Sequence, residues 1–550
     1  MESATQILIQ AQLTEVQEKA ATQWADHEQH AVIYIVRALE VAVGVNQSEY
    51  LLRNDEKLYA GYGATAALKP FLEKINDLPG PIPWMPSSPE SSKFAFSYLI
   101  ICGKLSYLYR LASLERFGLS RTYLTPNGPT IEIETSTIEL AQTTAIKLAA
   151  APPDPKIHKG AIIKRQNKML SKKMHQYVDT ENEWFIRYNN DQSIVKLYQK
   201  KAANYAAQFL EKEALPDDAI VGDRKFSEWK KACEYALGRI LCHIDFARIL
   251  KKKNPKIELT NINTIYVRKE DIEAVWLESG LPRDRIKTTM DALTIKANDL
   301  DLWEKDFEIP CPFYIEYSKD FLLLPCFGAI ANPYFALFRH LRSTYAADWD
   351  RAVDQRENIF RSELSKVFPK SHYLIPPTGY KLRRDNNTTL TDVDAIIIER
   401  RSGAVALVQL KWHDIVGRSI SQRDSRRKNI LVANTWIERV STWIDGRSSS
   451  SILTQLGIKN EQQSAEAPKL YVIARYTARF TGECMQDQRA TWMGWHEMLV
   501  NSKKLSKKNR ITSIPQAIIE FQKMFQGKVF PEETFTFNNF SLSLSPMKKQ

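Results

Sequence analysis

The segment Asp392–Trp412 constrains the fold of this 550-residue chain more than any other stretch. It reads Asp-Val-Asp394-Ala-Ile-Ile-Ile-Glu399, then Arg400-Arg-Ser-Gly403, then Ala404-Val-Ala-Leu-Val-Gln409-Leu-Lys411-Trp412. Two apolar runs flank a glycine able to supply the positive φ of a tight reversal, so the segment predicts a β-hairpin. With Ser402 and Gly403 as a two-residue turn, Arg401 pairs with Ala404, Asp394 falls opposite Lys411, and Ile396 faces Gln409. Side chains alternate along a strand, so Asp394, Gln409 and Lys411 project from one face of the ribbon.

Gln409 and Lys411 interrupt a run (Val405, Leu407, Val408, Leu410, Trp412) that otherwise reads as a buried strand. Polar groups in such a strand are costly unless they are satisfied or used. One reading is structural, a cross-strand charge pair that staples an edge. The other is chemical. Mg²⁺ takes hard oxygen ligands and keeps several waters, so Asp394, Gln409 and the backbone at Leu410 make a partial shell. A lysine beside that shell suits a phosphate, or the charge that develops on one during displacement.

Asp394, a gap of fourteen residues, and Gln409-Leu410-Lys411 resemble the signature of the PD-(D/E)xK nuclease superfamily, in its variant with glutamine in the acidic position. The resemblance spans residues 350 to 500. It implies a restriction-endonuclease-like α/β core, Mg²⁺ (or Mn²⁺) as cofactor, an activated water and a 5′-phosphate product. It also implies a glutamate from the helix before the hairpin. Asp350–Phe368 has helical periodicity, with Val353, Phe360, Leu364 and Val367 on one face and Glu357 and Glu363 on its two edges. Either glutamate fits, and Asp392 is a third carboxylate within reach of the motif. Gln409 departs from the commoner pattern because it brings no negative charge.

The order that follows fits the same family. Ser421–Ile444 reads as an amphipathic helix with Arg423, Arg426, Arg427 and Lys428 early and Trp436, Val440 and Trp443 later, and Lys469–Tyr476 reads as another core strand. The basic residues suit phosphate contacts, with a solvated basic face as the plainer alternative. A net charge of +12 and a pI near 9.1 favour polyanionic partners. Basic runs at Lys159–Lys173, Arg248–Lys256, Lys381–Arg384 and Lys503–Arg510 point the same way.

The remainder is mainly helical and less specific. The expected architecture is α+β and multidomain: a helical N-terminal domain (1–150), a mixed α/β middle (151–345), the nuclease-like domain (346–530) and a tail (531–550). A Pro-rich loop at Pro79–Pro89, a linker at Ala151–Lys156, a short strand at Thr130–Ile138 and a hairpin around the Ser318-Lys-Asp turn are expected. Gly61-Tyr-Gly63 lacks the other positions of a phosphate loop. Lys269–Leu293 has the spacing of a helix-turn-helix, a pattern that plain helical hairpins share. Phe321–Phe338 carries no charge over eighteen residues, but Pro325, Asn332 and Pro333 break it, so it reads as core and no membrane partner is expected. Six scattered cysteines without zinc spacing, and an N-terminus lacking a signal pattern, suggest a reduced, cytoplasmic protein.

The expected function is metal-dependent endonucleolytic hydrolysis of nucleic acid, DNA being favoured over RNA. By analogy it would serve as the effector of a bacterial anti-phage or restriction-type system. The alternative is a nuclease fold without catalysis, which binds nucleic acid or acts as an adaptor in a larger complex. The helical N-terminal region is the surface expected to serve a homo-oligomer or a protein partner.

Overall fold

The computed structural model describes residues 2–42, 54–75, 86–126, 128–150, 168–180, 182–296, 299–300, 313–326, 330, 332–384, 386–413, 420–459, 462–481, 486–537 and 540–547. Most of the Pro-rich loop, the linker at 151–156, the first part of the basic run at 159–173, and Cys311 and Cys484 lie outside the described residues. The chain forms two compact units, one of residues 1–113 and 152–350, the other of 114–151 and 351–550. Neither boundary set matches the four-part division read from the sequence. Leu114–Ala151 joins the C-terminal half, and the segment set apart as a tail forms two strands there.

The first unit is built on long helices, Ala4–Gln23, Glu28–Ala42, Asn54–Ile75, Pro89–Ser113, Gln192–Ala206 and Phe226–Lys253. Gly63 and Gly103 show why two of them approach so closely. A Cβ on Gly63 would lie 2.3 Å from the Leu99 carbonyl oxygen, and one on Gly103 1.8 Å from that of Tyr59. The Gly61-Tyr-Gly63 stretch is thus a backbone-to-backbone helix crossing.

The expected hairpin forms as Tyr314–Glu316 with Phe321–Leu324, inside a four-stranded sheet that adds Ile265–Arg268 and Thr294–Ile295. The helix-turn-helix candidate forms two helices, Lys269–Glu278 and Arg283–Leu293, joined through Gly280 at φ +86°. The second helix turns Thr288 and Thr289 onto the buried Arg224, at 2.6 and 2.7 Å, and pairs Arg285 with Glu228. These polar groups are spent inside the protein, as in an ordinary helical hairpin. No helix among the described residues is long and apolar enough to cross a membrane.

The second unit centres on a five-stranded sheet: β1 (Tyr373–Leu374), β2 (Ala395–Glu399), β3 (Val405–Lys411), β4 (Lys469–Ala474) and β5 (Thr491–Gly494), neighbours in that order. The pairs β1–β2 and β2–β3 are antiparallel, while β3–β4 and β4–β5 are parallel. Strands β2 and β3 are apolar on both faces because both faces are covered. On one face Ile396, Ile398, Val405 and Leu407 pack against Ile430, Ala433, Trp436, Ile437 and Val440 of α2 (Ile420–Ile444). On the other, Ala395, Ile397, Val408 and Leu410 pack against Phe360 of α1 (Arg356–Glu363), Met498 of α3 (Trp495–Ser502), and Ile511, Ile514 and Ile518 of α4 (Arg510–Lys523). The indole N–H groups of Trp436 and Trp443 donate to the carbonyls of Asp392 and Arg383, at 2.7 and 3.0 Å, and tie α2 to the hairpin Tyr380–Arg383/Thr389–Val393.

The helix expected over Asp350–Phe368 is broken. It forms as Ala346–Val353 and α1, with a 3₁₀ turn over Leu364–Lys366. At the break, the Gln355 N–H bonds the Ala352 carbonyl three residues back, the tighter winding that lets a helix change direction. A second sheet of four strands has the order Ser120–Thr125, Gly128–Ile133, Ser541–Pro546, Glu533–Thr536. Its central pair is parallel, Thr130 opposite Ser543.

Candidate active site

The β2–β3 hairpin forms, but its register corrects the one read from the sequence. Ala395 pairs with Val408 and Ile398 with Val405, the Glu399 N–H bonds the Ala404 carbonyl, and Asp394 therefore lies opposite Gln409 rather than Lys411. The loop is Arg400–Gly403, four residues instead of two, with Gly403 at φ +70° as its hydrogen-bonded last residue. Buried Glu399 explains the difference: its carboxylate accepts from Ser402 Oγ at 2.7 Å and from the Asn509 N–H at 2.6 Å, which pins the longer loop. The shift amounts to two residues along the partner strand. That preserves side-chain parity, and Asp394, Gln409 and Lys411 share one face.

Asp394 sits just before β2 and is 7 % exposed. Its Oδ2 accepts the Leu410 N–H at 2.6 Å and the Gln409 side-chain amide. Burial, and after it the nearby Glu357 carboxylate, push its pKa up to about 6, against the pull of the Leu410 N–H, Lys411 and Gln409. Burial likewise lowers the Lys411 pKa, opposed by Asp394 and Glu357. Asp394, Glu357 and Lys411 thus feel one another's charge, and the structure brings them together beside Gln409.

Sequence reasoning left two helix glutamates open, and they have different surroundings. Glu357, 48 % exposed, faces the Asp394 group. Glu363 pairs with the buried Arg475 and with Lys366, and those two cations hold its pKa low although burial works to raise it. Arg475 itself is stacked among Trp412, Phe360 and Trp495, with its guanidinium 4.5, 5.4 and 5.6 Å from their ring centres. Asp392, the third carboxylate, is exposed on the neighbouring hairpin.

Arg361 is a positioning residue that the sequence reading missed. It is buried, donates from Nε to the Asp394 carbonyl and from Nη1 to the Pro377 carbonyl at 3.3 Å, and bonds Glu357 through Nη2 at 2.5 Å. One guanidinium therefore fixes both the backbone of Asp394 and the glutamate beside it. Its signal was the i, i+4 spacing from Glu357, which is common enough to pass unnoticed. Gly379 packs against the same backbone: a Cβ there would lie 2.8 Å from the Val393 carbonyl oxygen and 3.3 Å from that of Asp394.

The basic residues of α2 are largely engaged within the protein. Arg423 pairs with Glu139, whose carboxylate also accepts from the Thr481 N–H at 3.1 Å, and its guanidinium lies over Phe480 and Phe117. Arg426 is buried. Arg427 and Lys428 pair with Asp424 at 3.5 and 3.1 Å, and Lys428 remains 68 % exposed.

Among the described residues no three His, Cys, Asp or Glu side chains converge as a metal cluster. The donor set at Asp394 is instead one carboxylate and one side-chain amide, with Glu357 at its margin. These are hard oxygen donors of low total charge and fit a cation that keeps most of its water. Holding one takes the oxygen of the Gln409 amide, whereas in the structure its nitrogen faces Asp394. No protein-family model, no curated protein and no solved structure matches the chain.

Proposed function

We propose that the second unit is a metal-dependent nuclease and that Asp394, Gln409, Lys411 and Glu357 form its active centre. The observation carrying this reading is the buried Asp394. It keeps a carboxylate at considerable cost, beside a lysine and a second carboxylate, at the end of a strand pair that is mostly apolar. A structural staple would not need burial that raises the carboxyl pKa to about 6. Such perturbed, mutually coupled groups are characteristic of functional sites. The α1–β2–β3–α2–β4 order and the mixed sheet also support a restriction-endonuclease-like core.

Asp394, Gln409 and the Leu410 carbonyl are the groups that would hold a divalent cation, with Glu357 adding charge. Such a cation, when bound, polarises a phosphoryl oxygen and makes a water acidic enough to attack. Lys411 supplies a positive charge on the same face, where it holds a phosphate oxygen and offsets the charge gained on the way to the transition state. Arg361 keeps Asp394 and Glu357 in register with each other. Asp394 works as the anion, so the centre is competent above the pH at which this carboxyl ionises.

The substrate class is a nucleic-acid phosphodiester. DNA is favoured over RNA on the superfamily resemblance, and a role as an anti-phage or restriction-type effector stands on that analogy alone. The test is incubation of the full chain with plasmid, linear and single-stranded DNA and with RNA, in Mg²⁺, Mn²⁺ or EDTA. Cleavage that needs metal and is lost in Asp394→Ala and Lys411→Ala supports the reading. Cleavage indifferent to those changes, or nucleic-acid binding without cleavage under every metal, sinks it, and the second outcome favours the catalytically inactive nuclease fold.

A further inference from the structure

A cavity of about 640 Å³ opens within the first unit, far along the sequence from the hairpin of the second. Its walls are the short hairpin Val178–Asp179/Arg187–Tyr188 with its Trp184-Phe185 tip, the middle of the helix Phe226–Lys253, and the segment Asn261–Tyr266. The volume lies within the roughly 300–1,000 Å³ typical of small-ligand sites.

Two features define what it would accept. The first is aromatic. Tyr188 is backed by Phe246 in a parallel stack at 4.3 Å, and Tyr266 by Phe321 at 4.6 Å, so both rings are held in fixed planes. The Tyr188 hydroxyl is already used: His243 Nε2 donates to the Ile262 carbonyl at 2.8 Å, so Nδ1 is the acceptor for the Tyr188 O–H at 3.1 Å. Burial holds the His243 pKa down to about 4, and the imidazole is neutral near pH 7. Trp184 and Phe185 add a third aromatic pair, with Phe185 46 % exposed.

The second feature is charge. Arg239 lines the cavity and makes no hydrogen bond or ion pair among the described residues. Glu278 lines the same cavity but does not pair with it. A guanidinium left without a carboxylate partner in an aromatic-walled pocket matches a phosphate carried on a flat heteroaromatic ring.

We propose that this cavity is a nucleotide-binding site, the base lying against the aromatic walls and a phosphate meeting Arg239. The site is independent of the nuclease reading. The same base-and-phosphate chemistry comes from a free nucleotide or from the end of a single strand, and the assay separates the two.

Isothermal titration of the full chain in EDTA, with AMP, ATP, GTP, CTP and UTP and separately with a twelve-nucleotide single strand, tests the proposal. One-to-one binding of at least one ligand is expected. It should weaken at least tenfold in Arg239→Gln, or several-fold in Phe185→Ala with thermal unfolding unaltered. A mononucleotide as the tighter ligand identifies the free source, and the strand as the tighter ligand the other. Absence of binding by every ligand at millimolar concentration, or binding unchanged in both cavity variants, overturns it.

Discussion

Replacing Asp394 by asparagine should make the protein more stable while removing its proposed activity. Burial and Glu357 raise the carboxyl pKa from its ordinary 3.8 to about 6, a penalty of about 3 kcal/mol on the charged form. A carboxyl whose folded-state pKa lies above its unfolded value favours folding in acid, and that contribution is lost as pH rises through about 6. At pH 8 the wild-type protein bears the whole penalty. Asparagine bears none of it, and its amide oxygen can accept from Leu410 and Gln409 just as Asp394 Oδ2 does. The variant should therefore melt higher at pH 8, at about 2–4 °C per kcal/mol for a unit of this size. The two melting curves should converge near pH 4. Saturating Mg²⁺ should raise the wild-type midpoint, by about 2.7 kcal/mol at a hundred times Kd, and leave the variant unmoved. Thermal unfolding across pH 4–8, with and without Mg²⁺, reads all of this. A variant no more stable than wild type at pH 8, or an advantage that persists at pH 4, refutes the reasoning.

Further expectations concern the neighbours. Gln409→Glu should bind Mg²⁺ more tightly by titration calorimetry, yet destabilise the metal-free protein above pH 6, because it sets a second anion against Asp394; Gln409→Ala should lose cleavage first at low Mg²⁺. Glu357→Ala should abolish cleavage, whereas Glu363→Ala should leave cleavage in place and cost about 1–3 kcal/mol of stability by taking a carboxylate from the buried Arg475. The opposite assignment in paired cleavage and unfolding assays would exchange their roles. Arg423→Ala should lower the melting temperature through its lost pair with Glu139, while Lys428→Ala should reduce the salt slope of nucleic-acid binding by about 0.9 without affecting stability; a slope reduced by roughly 3 in the triple change at 423, 426 and 427 would restore those arginines as phosphate contacts.

The shared face of the candidate site was legible where local rules suffice. Period-two alternation placed Asp394, Gln409 and Lys411 on one face, and that conclusion survived a wrong register because the shift was two residues. The turn itself was misread because Ser402-Gly403 looks self-sufficient, while the loop is held by Glu399 and a contact from Asn509, 110 residues away. The choice between Glu357 and Glu363 was closed to sequence reasoning, since both flank one apolar stripe and only the packing of Arg361 and Arg475 separates them. Arg423 looked like a phosphate ligand because its carboxylate partner lies 284 positions earlier. Long-range partners of this kind leave no periodic trace.

The parallel pairing of Gly128–Ile133 with Ser541–Pro546 sets a clock on the second unit. Its first strands leave the ribosome some four hundred residues before the strand that must join them. At about 5–20 residues per second, the earlier pair waits roughly 20–80 s for its neighbour. During that interval residues 152–350, the larger part of the first unit, are synthesised between the two pieces of the second. Closure of this sheet therefore follows synthesis of the first unit and of the β2–β3 hairpin. A nascent chain carries the hairpin of the proposed nuclease well before the strand that completes its unit, so the strands of the candidate site are made before that unit can close.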